Sequence, residues 1–229
     1  MKKVLIIILV ILITGSSYFF LKNNNVDKLN LSESEISSLN SAPVFYESES
    51  QKTAVNNVIE QYSADIGKNK TGYADYYLYV SIAQQYMLLG EGENAMKYFY
   101  LAIKDDPERS LPYSKAAGLL ARAGLLDLAE QNYEKVVEVE PQSTNNYLEL
   151  LDFLIKYRSN NTSKIQSYYT KARLETVDDV KILRSYAQWL ASEKEYVRAI
   201  DILKFVLMQQ PEEKEEISAE IQKLTKLVS

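Results

Sequence analysis

The sequence predicts an all-α protein built from stacked helical hairpins, and three observations carry that expectation. Ala95 and Ala129 stand 34 positions apart (129 − 95), and Pro107 and Pro141 repeat the interval (141 − 107). Around each pair the aromatic and small residues recur in the same order, as they do when one supersecondary unit is repeated along a chain. Tyr79, Tyr86, Phe99, Tyr113, Tyr133 and Tyr186 also recur at helical spacing, so each predicted helix has an apolar stripe to bury. A hairpin leaves one stripe uncovered until a neighbour stacks on it, so the units are expected as an array.

Taken in order, the chain opens with Met1-Lys2-Lys3, an unbroken apolar run from Val4 to Ile13, the small residues Gly15-Ser16-Ser17, and a second apolar patch from Tyr18 to Leu21. A basic start, an apolar centre and small residues suit a secretory signal peptide. A run reaching from Val4 to Leu21 also meets the length of a spanning helix, with Tyr18, Phe19 and Phe20 at the far interface. The renewed apolar character beyond the small residues favours an uncleaved anchor over residues 1–22, with Lys2 and Lys3 keeping the N-terminus cytoplasmic and the rest extracytoplasmic. Residues 23–47 are polar, rich in Asn, Ser and Glu, and read as a flexible linker.

From residue 48 to 68 the residues Ala54, Val55, Val58, Ile59, Tyr62 and Ile66 make an amphipathic helix that flanks the array, with Gly67, Lys68, Lys70 and Gly72 as the break. Four units follow, over 76–109, 110–143, 144–179 and 180–213. Small residues at Ala83, Ala95, Ala102, Ala117, Ala129, Ala187 and Ala199 mark where paired helices approach closely. Pro107, Pro141 and Pro211 end the second helices, since proline lacks the amide hydrogen and clashes with the preceding turn. Pro141 to Pro211 is 70 positions, two periods plus two, which places a degenerate third unit between them. Its polar run Ser159-Asn160-Asn161-Thr162-Ser163 reads as a turn lengthened by those residues. A last helix over 212–228, with Ile217, Ile221, Leu224 and Val228 on one face, closes the array as a solvating cap.

The repeated positions resemble those of the tetratricopeptide repeat (TPR) family. In the first unit they read Tyr79, Ile82-Ala83, Tyr86, Ala95, Phe99 and Pro107, with Gly90 at the turn. In the second they read Tyr113, Ala116-Ala117, Leu120, Ala129, Tyr133 and Pro141, with Gly124 at the turn. The third unit offers Tyr147, Leu150-Leu151, Leu154, Tyr169 and Ala172; the fourth offers Leu183, Tyr186-Ala187, Leu190, Ala199, Leu203 and Pro211, with Lys194 where the glycine is usual. The resemblance implies a TPR-type α-solenoid whose first helices form a concave peptide-binding surface. In that register the candidate groove residues are Tyr77, Val80, Gln84 and Met87, then Leu111, Ser114, Gly118 and Ala121, then Asn145, Leu148, Asp152 and Ile155, then Lys181, Arg184, Gln188 and Ala191. The early part is apolar and the last part basic, so a peptide with a hydrophobic segment and an acidic end is expected to fit. Val80 and Gln84 occupy places where co-chaperone members carry a Lys and Asn clamp, which argues against that specialised role.

Composition narrows the chemistry. The chain has no cysteine and no histidine, which removes disulfides, imidazole acid–base catalysis and His/Cys metal sites. No phosphate-cradling loop, nucleophile elbow or metal-ligand spacing is present, so neither an enzyme, a cofactor nor a bound metal is expected. Setting aside Lys2, Lys3 and Lys22 leaves 23 basic (26 − 3) against 31 acidic residues, a net of −8, which disfavours nucleic acid. Asp105-Asp106 and Asp178-Asp179 sit at predicted helix ends, where carboxylates cap, and the run Glu212 to Glu220 reads as a solvated helix face. Trp189 and the many tyrosines are either repeat packing or an aromatic interface. The expected partners are a protein or peptide in the groove and a membrane at the N-terminal helix. The function expected is that of a membrane-anchored TPR scaffold assembling a bacterial envelope complex of the secretion, pilus or cytochrome-maturation type. A periplasmic chaperone for unfolded clients and a structural subunit of a larger envelope machine are the alternatives; the bacterial assignment rests on the secretory segment and the Lys, Asn and Ile bias.

Overall fold

A computed structural model describes residues 31–40, 48–68 and 75–228. The predicted anchor over 1–22, the linker stretches 23–30 and 41–47, and the Lys70–Gly72 break lie outside these residues. Among the described residues the chain is helical throughout, and no helix is long and apolar enough to cross a membrane. In chain order the helices are α1 (Glu33–Leu39), α2 (Glu49–Asp65), α3 (Asp75–Leu89), α4 (Gly92–Asp105), α5 (Ser110–Arg122), α6 (Leu126–Val139), α7 (Thr144–Tyr157), α8 (Thr162–Glu175), α9 (Val180–Ser192), α10 (Tyr196–Gln209) and α11 (Lys214–Val228), the last preceded by a single 3-10 turn at Pro211–Glu213. The pairs α3/α4, α5/α6, α7/α8 and α9/α10 are the four predicted hairpins. One expectation is corrected: within the stretch read as flexible linker, residues 33–39 form a helix, opened by a reciprocal cap between Ser32 and Glu35.

The chain divides into two compact units, the first of residues up to 108 with 118–125, the second of 109–117 with 126–229. In the first unit, α3 and α4 pack as an intimate hairpin and α2 lies on α3. Val55 and Ile59 of α2 meet Ile82, ringed by Tyr62, Ile66, Tyr86, Leu89 and Tyr98, while Ala54 is exposed. Tyr86 stacks on Tyr98 at a ring separation of 5.6 Å. In the second unit, α9 pairs with α10 and also touches α7 and α8, and α11 covers α10 through Ile217 and Leu224. Trp189 is packing rather than an interface anchor: it is 5% exposed and lies against the stacked Tyr169 and Tyr186.

Alanines are buried at matching places in three of the hairpins. Ala83 with Ala95, Ala117 with Ala129, and Ala187 with Ala199 are all buried, and only a small side chain lets two helix axes close to the short end of their normal separation. In the third hairpin those positions hold Leu151 and Ile165, both buried, and the connection between its helices is four residues, 158–161. The larger pair and the lengthened turn occur together in this unit alone.

The turns follow the same division. Gly90, Gly124 and Lys194 adopt left-handed φ values of 76°, 78° and 63°. After each, the next amide bonds back to the carbonyl five residues earlier: Glu91 to Tyr86 at 2.9 Å, Leu125 to Leu120 at 2.9 Å, and Glu195 to Leu190 at 2.8 Å. Lys194 therefore makes the glycine's turn without being glycine. In the third hairpin the left-handed residues move to the exit, where Val177 (φ 53°) takes the position of the other units' proline and Asp178 (φ 54°) follows. Proline is fixed near −65° and could not adopt this φ.

Of the three non-glycine residues at positive φ, Val177 stores the most strain because it is β-branched, and Lys194 stores some. Lys194→Gly is expected to stabilise the protein by up to about 1 kcal/mol, and Val177→Gly, at a side chain 87% exposed, by about 1–2 kcal/mol. Urea denaturation followed by circular dichroism checks both; a loss of stability at Val177→Gly would refute the strain assignment.

Candidate functional site

The ends of the hairpins are pinned by carboxylates. Asp105 Oδ2 accepts from the Tyr76 amide at 2.9 Å, and Glu140 Oε1 from the Ser110 amide at 3.4 Å, so the end of a second helix satisfies an open amide at the start of its own first helix. Asp106 accepts from the Glu108 amide, Asp179 from the Lys181 amide at 2.8 Å, and Asp178 pairs with Arg173. Asp105, Asp106 and Asp179 cap backbone amides, as their positions imply, while Asp178 is an ion-pair partner.

A larger ionic network joins α6 to the third hairpin. Arg158 pairs with Asp127 and, at 2.8 Å, with Glu130; Lys164 pairs with Glu130 and, at 2.7 Å, with Glu134; Tyr168 donates to Glu134 at 2.9 Å. Burial pushes the Glu130 carboxyl up, but the hydrogen bonds from Lys164 and Arg158 together outweigh it and hold the group below its ordinary value. Burial pulls Lys164 down, and its bonds to Glu130 and Glu134 outweigh that and raise it. Behind the network the Tyr147 hydroxyl is buried without a hydrogen-bond partner, and burial, with Glu175 nearby, pushes it up to about 12.

The candidate groove residues divide between the two units. In the first, Tyr77 is exposed and Gln84, Met87, Gly118 and Ala121 are half-buried. Val80 is 6% exposed, packed with Tyr76 and Ala102 inside the first hairpin, so it is core and not lining. In the second, the first helices α7 and α9 are in contact, and the Ser114 hydroxyl of α5 donates to Glu149 of α7 at 2.6 Å. Asn145, Asp152, Lys181, Gln188 and Leu111 are exposed there, while Ser114, Leu148, Ile155, Arg184 and Ala191 are half-buried.

The electrostatics differ from the expected apolar start and basic end. Arg184 pairs with Glu213 and, at 3.7 Å, with Glu216, so its charge is spent on the turn before α11 and on α11 itself; that part of the acidic run is an ion-pair partner, not only a solvated face. Burial and then the neighbouring Glu149 raise the Asp152 carboxyl. The middle of this face is therefore acidic, around Asp152 and Glu149, and a cationic group would complement it. Glu149 escapes a position-by-position reading because it stands one residue past a lining position and joins the face only through its bond to Ser114. Among the described residues no cluster of His, Cys, Asp or Glu is placed to hold a metal ion.

No family model and no curated protein matches the chain. Solved structures do match in fold. A tetratricopeptide repeat protein from Parabacteroides merdae superposes with a TM-score of 0.54 at 13% identity, over 86% of this chain and 74% of its own. The C-terminal part of a TPR repeat-containing protein from Cytophaga hutchinsonii gives 0.52 at 20% identity, over 77% and 75%. MamA gives 0.52 at 12% identity, over 74% of this chain and 99% of its own. At these identities the likeness establishes a tetratricopeptide-type fold.

Two outcomes follow from the site chemistry. Glu130→Gln is expected to cost about 1–2 kcal/mol near neutral pH. The carboxylate, depressed below 4.5, contributes stability above that pH and loses it as pH falls through its folded value; the ammonium, raised above 10.5, contributes below that pH and loses it as pH rises through its folded value. The difference from wild type in thermal melts should therefore be flat between those limits and shrink outside them. Asp152 has the opposite sign, since a carboxyl raised in the folded state favours folding only when protonated. Asp152→Asn should raise the melting temperature at pH 7, with the gain fading as pH falls through the raised value toward 3.8.

Proposed function

We propose that the protein is an interaction scaffold that holds a partner protein against the first-helix face of its second unit, and that an N-terminal helix anchors it in the membrane of a bacterial envelope. One observation carries the docking part. Leu111, Asn145, Asp152 and Gln188 stand exposed on first helices whose opposite sides are filled by buried Tyr147, Leu150, Leu151, Leu154, Leu183, Tyr186 and Leu190. A rigid helical floor with exposed side chains in a fixed register suits recognition of an extended or helical segment. The acidic middle selects a partner with a lysine or arginine at its contact centre.

The anchoring part rests on Lys2-Lys3 and the apolar stretch from Val4 to Leu21. It places the repeats outside the cytoplasm, beside a complex of the secretion, pilus or cytochrome-maturation type, whose assembly the scaffold serves. The localised acidic centre favours one dedicated partner over interchangeable unfolded clients, which an apolar surface would hold.

Crosslinking in intact cells, followed by detergent extraction and pull-down of the full chain, tests this. The comparison is a variant carrying Asn145→Arg, Asp152→Lys and Gln188→Lys, all at exposed positions. One dominant membrane-associated partner is expected with the unaltered chain and at least about tenfold less with the variant. Many unrelated clients would replace the scaffold reading with a chaperone, and a partner retained by the variant would move docking to another surface.

A further inference from the structure

Helix α10 carries apolar residues on two sides. Ala199, Leu203 and Val206 are buried and make its packing face. Val197, Asp201, Lys204 and Met208 follow one another at intervals of four, three and four positions (201 − 197, 204 − 201, 208 − 204), which sets them within about 60° of one another on the opposite side of the helix. Val197 is 59% exposed and Met208 78%, and Phe205 stands exposed at the edge of the stripe. Between the two apolar ends Asp201 and Lys204 are exposed and paired at 3.2 Å.

The period does not call for this face. In the other three second helices the place of Val197 holds Glu93, Asp127 and Ser163, that of Phe205 holds Leu101, Lys135 and Lys171, and that of Met208 holds Lys104, Glu138 and Leu174. The closing helix α11 packs on α10 through Ile217 and Leu224 and leaves the stripe exposed. Alternating steps of four and three are the seam along which a second helix packs.

We propose that this stripe docks a second copy of the chain, α10 against α10, antiparallel about a twofold axis between residues 202 and 203. In that register the stripe is its own complement. Val197 and Met208 stand equally far from the axis on either side, so each meets the other across the pair; Asp201 and Lys204 do the same. A parallel pairing would set Asp201 against Asp201 and Lys204 against Lys204, so the charges select the antiparallel one. A single helix contact buries less than the roughly 1,200 Å² at which a stable interface begins, so the dimer is expected to be weak and to form with rising concentration. The surface lies on a second helix and makes no use of the first-helix face assigned above.

Sedimentation of the full chain in detergent tests the proposal, with the mass expected to rise toward that of a dimer between about 1 and 100 µM. Asp201→Lys or Lys204→Asp alone should weaken association at least about tenfold, and an equimolar mixture of the two chains should recover it, because unlike charges then meet across the axis. Both side chains are mostly exposed, so the fold is expected to survive either change. The chain has no cysteine, so introduced thiols report the register. Val197→Cys chains mixed with Met208→Cys chains should form a mixed disulfide on mild oxidation, whereas neither should crosslink to itself, since like positions lie about 16 Å apart along antiparallel axes. A monomer throughout the concentration range would overturn the proposal, as would a dimer insensitive to the charges at 201 and 204, or a disulfide of the Val197→Cys chain with itself.

Discussion

The burial of small residues at matching places in the hairpins is the constraint on which the rest of this structure depends. Three hairpins bury alanines at matching places: Ala83 and Ala95, Ala117 and Ala129, and Ala187 and Ala199. A connection of two or three residues closes each of these pairs, and a left-handed residue turns the chain: Gly90, Gly124 and Lys194. Where the alanines give way to Leu151 and Ile165, the connection lengthens and the left-handed residues appear at the exit of the hairpin instead.

Charge in this protein is largely committed to joining one element to the next. Asp105 and Glu140 tie hairpin ends together, Glu130 and Glu134 hold Arg158, Lys164 and Tyr168, and Arg184 is held by Glu213 and Glu216. Counting charges along a predicted surface therefore misjudges what a partner would meet. Arg184 looks like a recognition residue and serves the closing turn and α11. Asp152 keeps a field because it stands near Glu149 and carries no ion pair among those that bind the hairpins.

The first unit shows a second way in which the repeat departs from strict periodicity. An array of identical hairpins would place a side chain at residue 92, as the other three do. Gly92 instead makes room for a chain segment outside the repeats, and Asn40 supplies the cap that α4 lacks from its own N-cap residue. The irregular positions at 92, 177 and 194 each answer a local contact or turn that the period alone does not contain.

Much of the fold was legible in the residues. The period, the alanines and the prolines placed all four hairpins, the flanking helix before them and the closing helix after them, because a helix must bury its stripe every 3.6 residues and a repeated unit puts residues of like size at like positions. The two extra residues of the third unit were legible too, since Ser159, Asn160 and Asn161 are residues that favour a turn. The site was less so. Position in a repeat says which way a side chain points, but not whether a neighbour covers or neutralises it. Val80 became core and Arg184 an ion-pair partner through residues on other helices, Tyr76 and Ala102 in one case, Glu213 and Glu216 in the other. The helix at 33–39 was hidden for the same reason: its composition is that of a linker, and only a glycine 53 residues after Leu39 (92 − 39) lets it settle. Sequence by itself determined the repeating unit, since that depends on local periodicity and side-chain size; tertiary structure alone decided which charges and faces stay free, since that depends on contacts between residues far apart in the chain.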